Sequence, residues 1–122
     1  MFKKAKNKKG FTLIELIVVI AILAVLAAII IPTVASSLDR ANEARDLANV
    51  RSAYAEFAVE LLTAEDPATV TAPVVPGASG ATVTCTFSNT GTSITAFQCV
   101  MPTGTYSLQT NGQISKNAAP AE

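Results

Sequence analysis

Three different spacings of apolar residues follow one another along this chain of 122 residues. From Phe11 to Ile31 the sequence FTLIELIVVIAILAVLAAIII is apolar but for Thr12 and Glu15. About 21 residues in helical form rise roughly 31 Å, the thickness of a bilayer's hydrocarbon core, so 11–31 is expected to be a helix that lies in lipid. Past Pro32 the pattern narrows to a stripe: Leu47, Val50, Tyr54, Phe57 and Leu61 recur at threes and fours, while Arg45, Arg51, Glu56 and Glu60 take other faces. Residues 32–66 therefore read as the amphipathic continuation of the same helix. Pro32 lacks an N–H and crowds the carbonyl of Ala28, so it is expected to kink or loosen the helix without ending it. The stop is Ala64, Glu65, Asp66, Pro67, because a residue before proline is pushed out of the α region.

The period then becomes two. Residues 67–80, PATVTAPVVPGASG, are rich in proline, glycine and small residues and read as the connection from helix to sheet. Within 81–87, Val83, Cys85 and Phe87 share one face and Thr82, Thr84 and Thr86 the other, as in a half-buried strand. A second strand over about 95–101 places Cys85 opposite Cys99, Phe87 opposite Phe97 and Val83 opposite Met101, with the turn near Thr92. A slip of one residue turns that apolar face to solvent. In TYSLQTNGQIS, a two-residue turn at Asn111 and Gly112 sets Leu108 and Ile114 on opposite faces. A three-residue loop of Thr110, Asn111 and Gly112 pairs Gln109 with Gln113 and puts Leu108 and Ile114 on one face, so that loop is expected. The fold class is α+β: a long helix against an antiparallel sheet of about four strands within 81–115, with 116–122 a mobile tail.

Charge changes the picture. Nine basic and nine acidic residues cancel, but Lys3, Lys4, Lys6, Lys8 and Lys9 precede Gly10 and every acidic residue follows it. Lysines before an apolar span keep that end in the cytoplasm, so everything after Pro32 is expected to be exported. Without the first ten residues, four basic residues face nine acidic ones, a charge of about −5 that repels nucleic-acid phosphate. No nucleic-acid binding is expected from the exported part. Histidine is absent, which removes the commonest general base and metal ligand. Asp and Glu are sparse after Asp66, so no oxygen-rich loop suited to calcium stands out. Cys85 and Cys99, with no further cysteine or histidine to complete a zinc site, suit one disulfide and an oxidising compartment. No catalytic, cofactor or metal residues stand out, and the chain does not read as an enzyme.

Glu15 sets the span apart from an ordinary signal peptide or signal anchor. A carboxylate within an apolar span costs a few kcal/mol and needs a partner. Lys8 and Lys9 are the nearest basic groups, and a cut after Gly10 creates a closer one, the α-amino group of Phe11, one helical turn from Glu15.

Lys8, Lys9, Gly10, Phe11, Thr12, Leu13, Ile14 and Glu15 resemble the signal of type IV prepilins: a basic leader, glycine at the cut, phenylalanine after it, glutamate four residues on, and a long apolar helix with a proline at position 32. The resemblance covers about residues 8–60. It implies the pilin fold and a leader, 1–10, that a prepilin peptidase removes between Gly10 and Phe11 on the cytoplasmic side. It also implies N-methylation of Phe11 and a role for Glu15 in assembly and register. The implied partners are the membrane before assembly, an inner-membrane platform and ATPase, and copies of the chain in a helical filament outside the cell. No cofactor is implied. The expected function is a structural subunit of a type IV pilus. The alternatives are a pseudopilin of a type II secretion or competence DNA-uptake system, and a single-pass anchored binding protein that does not polymerise.

Overall fold

A computed structural model describes residues 10–117, and contacts divide the chain into two units, Met1–Ser37 and Leu38–Glu122. The leader lysines Lys3, Lys4, Lys6, Lys8 and Lys9, and residues 118–122 of the expected tail, lie outside the described residues.

Helix α1, Leu13–Thr63, has 51 residues and continues through Pro32. The Thr33 hydroxyl donates to the Ile29 carbonyl at 3.1 Å, and Ser36 and Ser37 donate to the Thr33 carbonyl at 3.0 Å, so these hydroxyls are satisfied on their own helix. The helix stops where the proline dictates. Asp66 is extended, at φ −129° and ψ 105°, and its carboxylate accepts from the Ala68 N–H at 3.0 Å to cap a 3₁₀ turn, Pro67–Thr69.

In the second unit, helix residues Val50, Ala53, Phe57 and Leu61 are buried, with Leu47 and Tyr54 partly so. They meet Val75, Phe97, Cys99, Met101, Tyr106 and Ile114 from the strands and Cys85 from between two strands, and all the buried residues named except Leu61 join one core cluster. Phe57 lies between two rings, 4.4 Å from Phe87 and 5.9 Å from Phe97 by centroids, and Tyr54 meets Phe97 edge-on at 5.2 Å.

Six strands form two sheets where about four strands were expected. The smaller sheet pairs β1, Val74–Pro76, with β2, Thr82–Thr84. The larger runs in the order β3-β4-β5-β6, with β3 at Thr86–Thr90, β4 at Ser93–Met101, β5 at Gly104–Leu108 and β6 at Ile114–Lys116. The connection 67–80 thus contains a strand, and the expected strand 81–87 is divided at Cys85. The cause is a change of hydrogen-bond partner: the Cys85 N–H donates to the Pro73 carbonyl at 3.1 Å, drawing 82–84 onto β1, and Val83 pairs with Val75 instead of Met101. Phe87 does pair with Phe97. Between Ser88 and Asn89 the register shifts by one residue, leaving Thr95 without an opposite number; its hydroxyl donates to the Ser88 carbonyl at 3.0 Å.

The last hairpin has the three-residue loop. Leu108 pairs with Ile114, the Gln109 N–H donates to the Gln113 carbonyl at 2.8 Å, and Gly112 takes φ 81°, which a side chain resists. Lys116 was expected to begin the mobile tail, but it is the last residue of β6, paired with Tyr106, and its ammonium forms an ion pair with Glu43 of the helix. The hydrogen bond to Glu43 raises the pKa of this exposed lysine. The tie is intact below the ordinary lysine pKa and is lost as pH climbs through the raised one, so neutral conditions leave it in place.

Cys85 and Cys99 are joined by a disulfide, with Cα atoms 4.3 Å apart. It closes a loop of about 15 residues, worth roughly 3 kcal/mol in the chain-entropy model. Replacing both cysteines by serine should lower the stability of this unit by that order, read as a lower thermal midpoint of the full chain in detergent. An unchanged midpoint overturns the assignment of a stabilising bridge.

Candidate functional site

At the start of α1, Thr12 and Glu15 cap one another. The Thr12 N–H donates to Glu15 Oε2 at 3.0 Å and the Glu15 N–H to Thr12 Oγ1 at 3.4 Å, the reciprocal bonds of a capping box. The helix therefore begins at Leu13, and Gly10 and Phe11 precede it, both exposed, Phe11 at 93%. A Cβ placed on Gly10 would meet nothing within 4 Å, so its conformational freedom is not limited by neighbours. From Leu13 to Ile31 every residue is exposed. The most apolar window of the helix has a mean hydropathy of 3.3 and none of it is buried. An apolar surface of that extent marks lipid or protein contact, since monomeric soluble proteins rarely expose it to water.

A second polar arrangement lies in the other unit. Asp46 has no exposed surface, and among the described residues it is the one buried charged side chain. Its Oδ1 accepts from the Ala78 N–H at 2.7 Å and its Oδ2 from the Thr103 hydroxyl at 2.6 Å. With the Thr103 proton so committed, the 2.8 Å contact between Thr103 Oγ1 and Tyr106 Oη uses the Tyr106 proton, which is shared with the Glu43 carbonyl at 3.3 Å. The carboxylate thus ties the helix to the 77–80 turn and to the β4–β5 turn. Asp46→Ala strands the Ala78 donor and should cost about 1–3 kcal/mol. Asp46→Asn should cost less than about 1 kcal/mol, because the amide can donate to Thr103 and the two hydroxyls can then reverse toward the Glu43 carbonyl. Equal losses for both substitutions, in thermal unfolding of the full chain, sink this account. Among the described residues no group of three His, Cys, Asp or Glu is placed to hold a metal ion. An open depression of about 320 Å³ beside Arg51, Tyr54 and Ile114 is bounded by Arg51, which donates through Nε and Nη2 to the Ile114 carbonyl at 3.4 and 3.2 Å.

Residues 5–31 match the family model of the prokaryotic N-terminal methylation motif. The chain carries the prepilin-type motif. No curated protein and no solved structure matches the chain. The prepilin-type motif covers the residues on both sides of Gly10 and the apolar start of α1 to Ile31, and it supports a type IV pilin-like or pseudopilin protein, processed by prepilin peptidase and assembled into a pilus-type filament. A long helix on antiparallel sheets agrees with the pilin fold. Of the residues singled out in the sequence, Gly10, Phe11 and Glu15 stand together at the head of α1, Pro32 lies within the helix, and Cys85 and Cys99 are bonded in the other unit. The role of Thr12 was legible and missed, since a threonine three residues before a glutamate, at the start of an apolar run, is the capping-box pattern. Asp46 carries no such signal.

Proposed function

We propose that the chain is the precursor of a type IV pilus subunit. The observation that carries this reading is the coincidence of the prepilin-type motif, 5–31, with the apolar stretch of α1 from Leu13 to Ile31, every residue of which is exposed. Prepilin peptidase removes 1–10 by cutting between Gly10 and Phe11 on the cytoplasmic side, and the new Phe11 amine is N-methylated. The exposed position of Gly10, ahead of the capped helix, suits an extended fit in a protease cleft. The apolar helix holds the subunit in the membrane, with one pass and a cytoplasmic amino terminus. An ATPase and platform protein then transfer it to a helical filament of identical copies outside the cell, where lipid contacts are exchanged for contacts between helices.

Mass spectrometry of filaments sheared from cells tests this reading. The mature chain should begin at methylated Phe11, and electron microscopy should show the filaments. Replacing Gly10 by a bulky residue should leave precursor in the membrane. A mature chain that begins at Met1, or is cut among Ala21, Ala24, Ala27 and Ala28, overturns the reading. Short envelope-bound filaments linked to a secretion apparatus redirect it to a pseudopilin.

A further inference from the structure

We infer that the back of the helix in the second unit, the face with Leu38, Ala41, Arg45, Ser52, Glu56 and Val59, docks a second copy of this chain, in parallel and offset by three helical turns, so that Arg45 of one copy meets Glu56 of the next. The inference rests on the filament reading and adds the surface and register within it.

The side of the helix toward the sheets holds Asp46, Val50, Phe57 and Leu61. The opposite side of an amphipathic helix is ordinarily charged. Here it carries Ala41, Ala48 and Ala55, all exposed, with Leu38, Val59 and Leu62 exposed at 57%, 60% and 66%. Single exposed apolar residues are common, but several on one helix face, here interspersed with Arg45, Ser52 and Glu56, mark a contact surface.

Charge selects the occupant. Arg40, Arg45 and Arg51 of the helix, interspersed with Asp39, Glu43 and Asp46, all precede Glu56 and Glu60, and no basic residue stands in the last turn. Glu56 and Glu60 repel at a spacing of four, and carboxylates near a helix carboxy terminus oppose its dipole, so the acidic end is not compensated along its own helix. The one ion pair among the described residues joins Lys116 to Glu43; Arg45 and Glu56 are exposed. Eleven residues separate Arg45 from Glu56, which at about 100° each is three turns and about 20°, so the two lie on one line about 16 Å apart along the axis.

Two copies side by side without an offset set Arg45 against Arg45 and Glu56 against Glu56. An antiparallel pair relieves that repulsion, but copies anchored in one membrane by the same amino-terminal helix are parallel. For parallel copies the offset of about 16 Å brings Arg45 to Glu56. A second copy of this chain therefore fits the face in apolar character and sign of charge.

Charge reversal in the full chain, expressed in cells, tests this. Arg45→Glu and Glu56→Arg should each lower surface filaments about tenfold or more, since each sets like charges opposite one another, and the double reversal should recover them to within about threefold of the wild type. Leader removal and the Cys85–Cys99 disulfide should be normal in all three. Arg45→Cys with Glu56→Cys should give a covalent dimer in oxidised filaments, and either alone should not. Normal filaments from both single reversals, a double reversal without recovery, or no covalent dimer from the cysteine pair overturns the inference while the filament reading stands. A wild-type chain that forms no filaments removes the filament reading and this register with it.

Discussion

Replacing Glu15 by Ala or Gln should leave leader removal intact and reduce surface filaments about tenfold or more, a loss that corresponds to about 1.4 kcal/mol per factor of ten. In the uncut chain the carboxylate is satisfied by the Thr12 N–H at 3.0 Å, so Glu15 has a local role as a cap, worth no more than about 1 kcal/mol at an exposed helix start. The larger role comes from charge. With the proposed cut after Gly10 the Phe11 amine would lie a turn away, and once both groups leave water, removing one of them strands the other at a cost of about 3–5 kcal/mol. The two substitutions separate the roles. Gln can still accept from the Thr12 N–H and keeps the cap, whereas Ala loses both cap and charge. Few filaments from both variants support pairing with the amine in assembly. Normal filaments from Gln and few from Ala assign the effect to the cap, and abundant filaments of normal length from both sink the role.

Phe57→Ala should lower the stability of the second unit by about 3–5 kcal/mol. The ring is 1% exposed and lies against both Phe87 and Phe97, so truncation removes a large buried side chain and two aromatic contacts at once. Phe57→Leu refills much of the space and should recover about half of that loss. Val59→Ala, two residues away on the exposed side, should change stability by less than about 0.5 kcal/mol. Near-ultraviolet circular dichroism of the full chain in detergent reads all three through the tyrosine signal. A loss below about 1 kcal/mol for Phe57→Ala means that this helix face is not the one that carries the core.

By itself the sequence determined whatever depends on local periods. A run of about 21 apolar residues can only be an element whose side chains need lipid or protein, and the stripe from Leu47 to Leu61 can only be one helix face, because both facts depend on residues a few positions apart. The end of the helix before Pro67, the pairing of Phe87 with Phe97 and the three-residue loop at Asn111 were legible for the same reason: each rests on a nearby proline, a face or a turn. What tertiary structure decided was competition between partners far apart in the chain. The alternation from Val83 to Phe87 is the same whether one strand or two is formed, and only the approach of the Pro73 carbonyl to the Cys85 N–H splits it between two sheets. Lys116 lay in a stretch with no apolar pattern, and it is fixed by Tyr106 beside it and Glu43 across from it. Asp46 reads as one more charge on a helix, yet it is buried, because the Ala78 N–H and the Thr103 hydroxyl converge on it from turns 32 and 57 residues away. A buried carboxylate is tolerated only where donors meet it, and the meeting of donors from distant turns is a property of the fold.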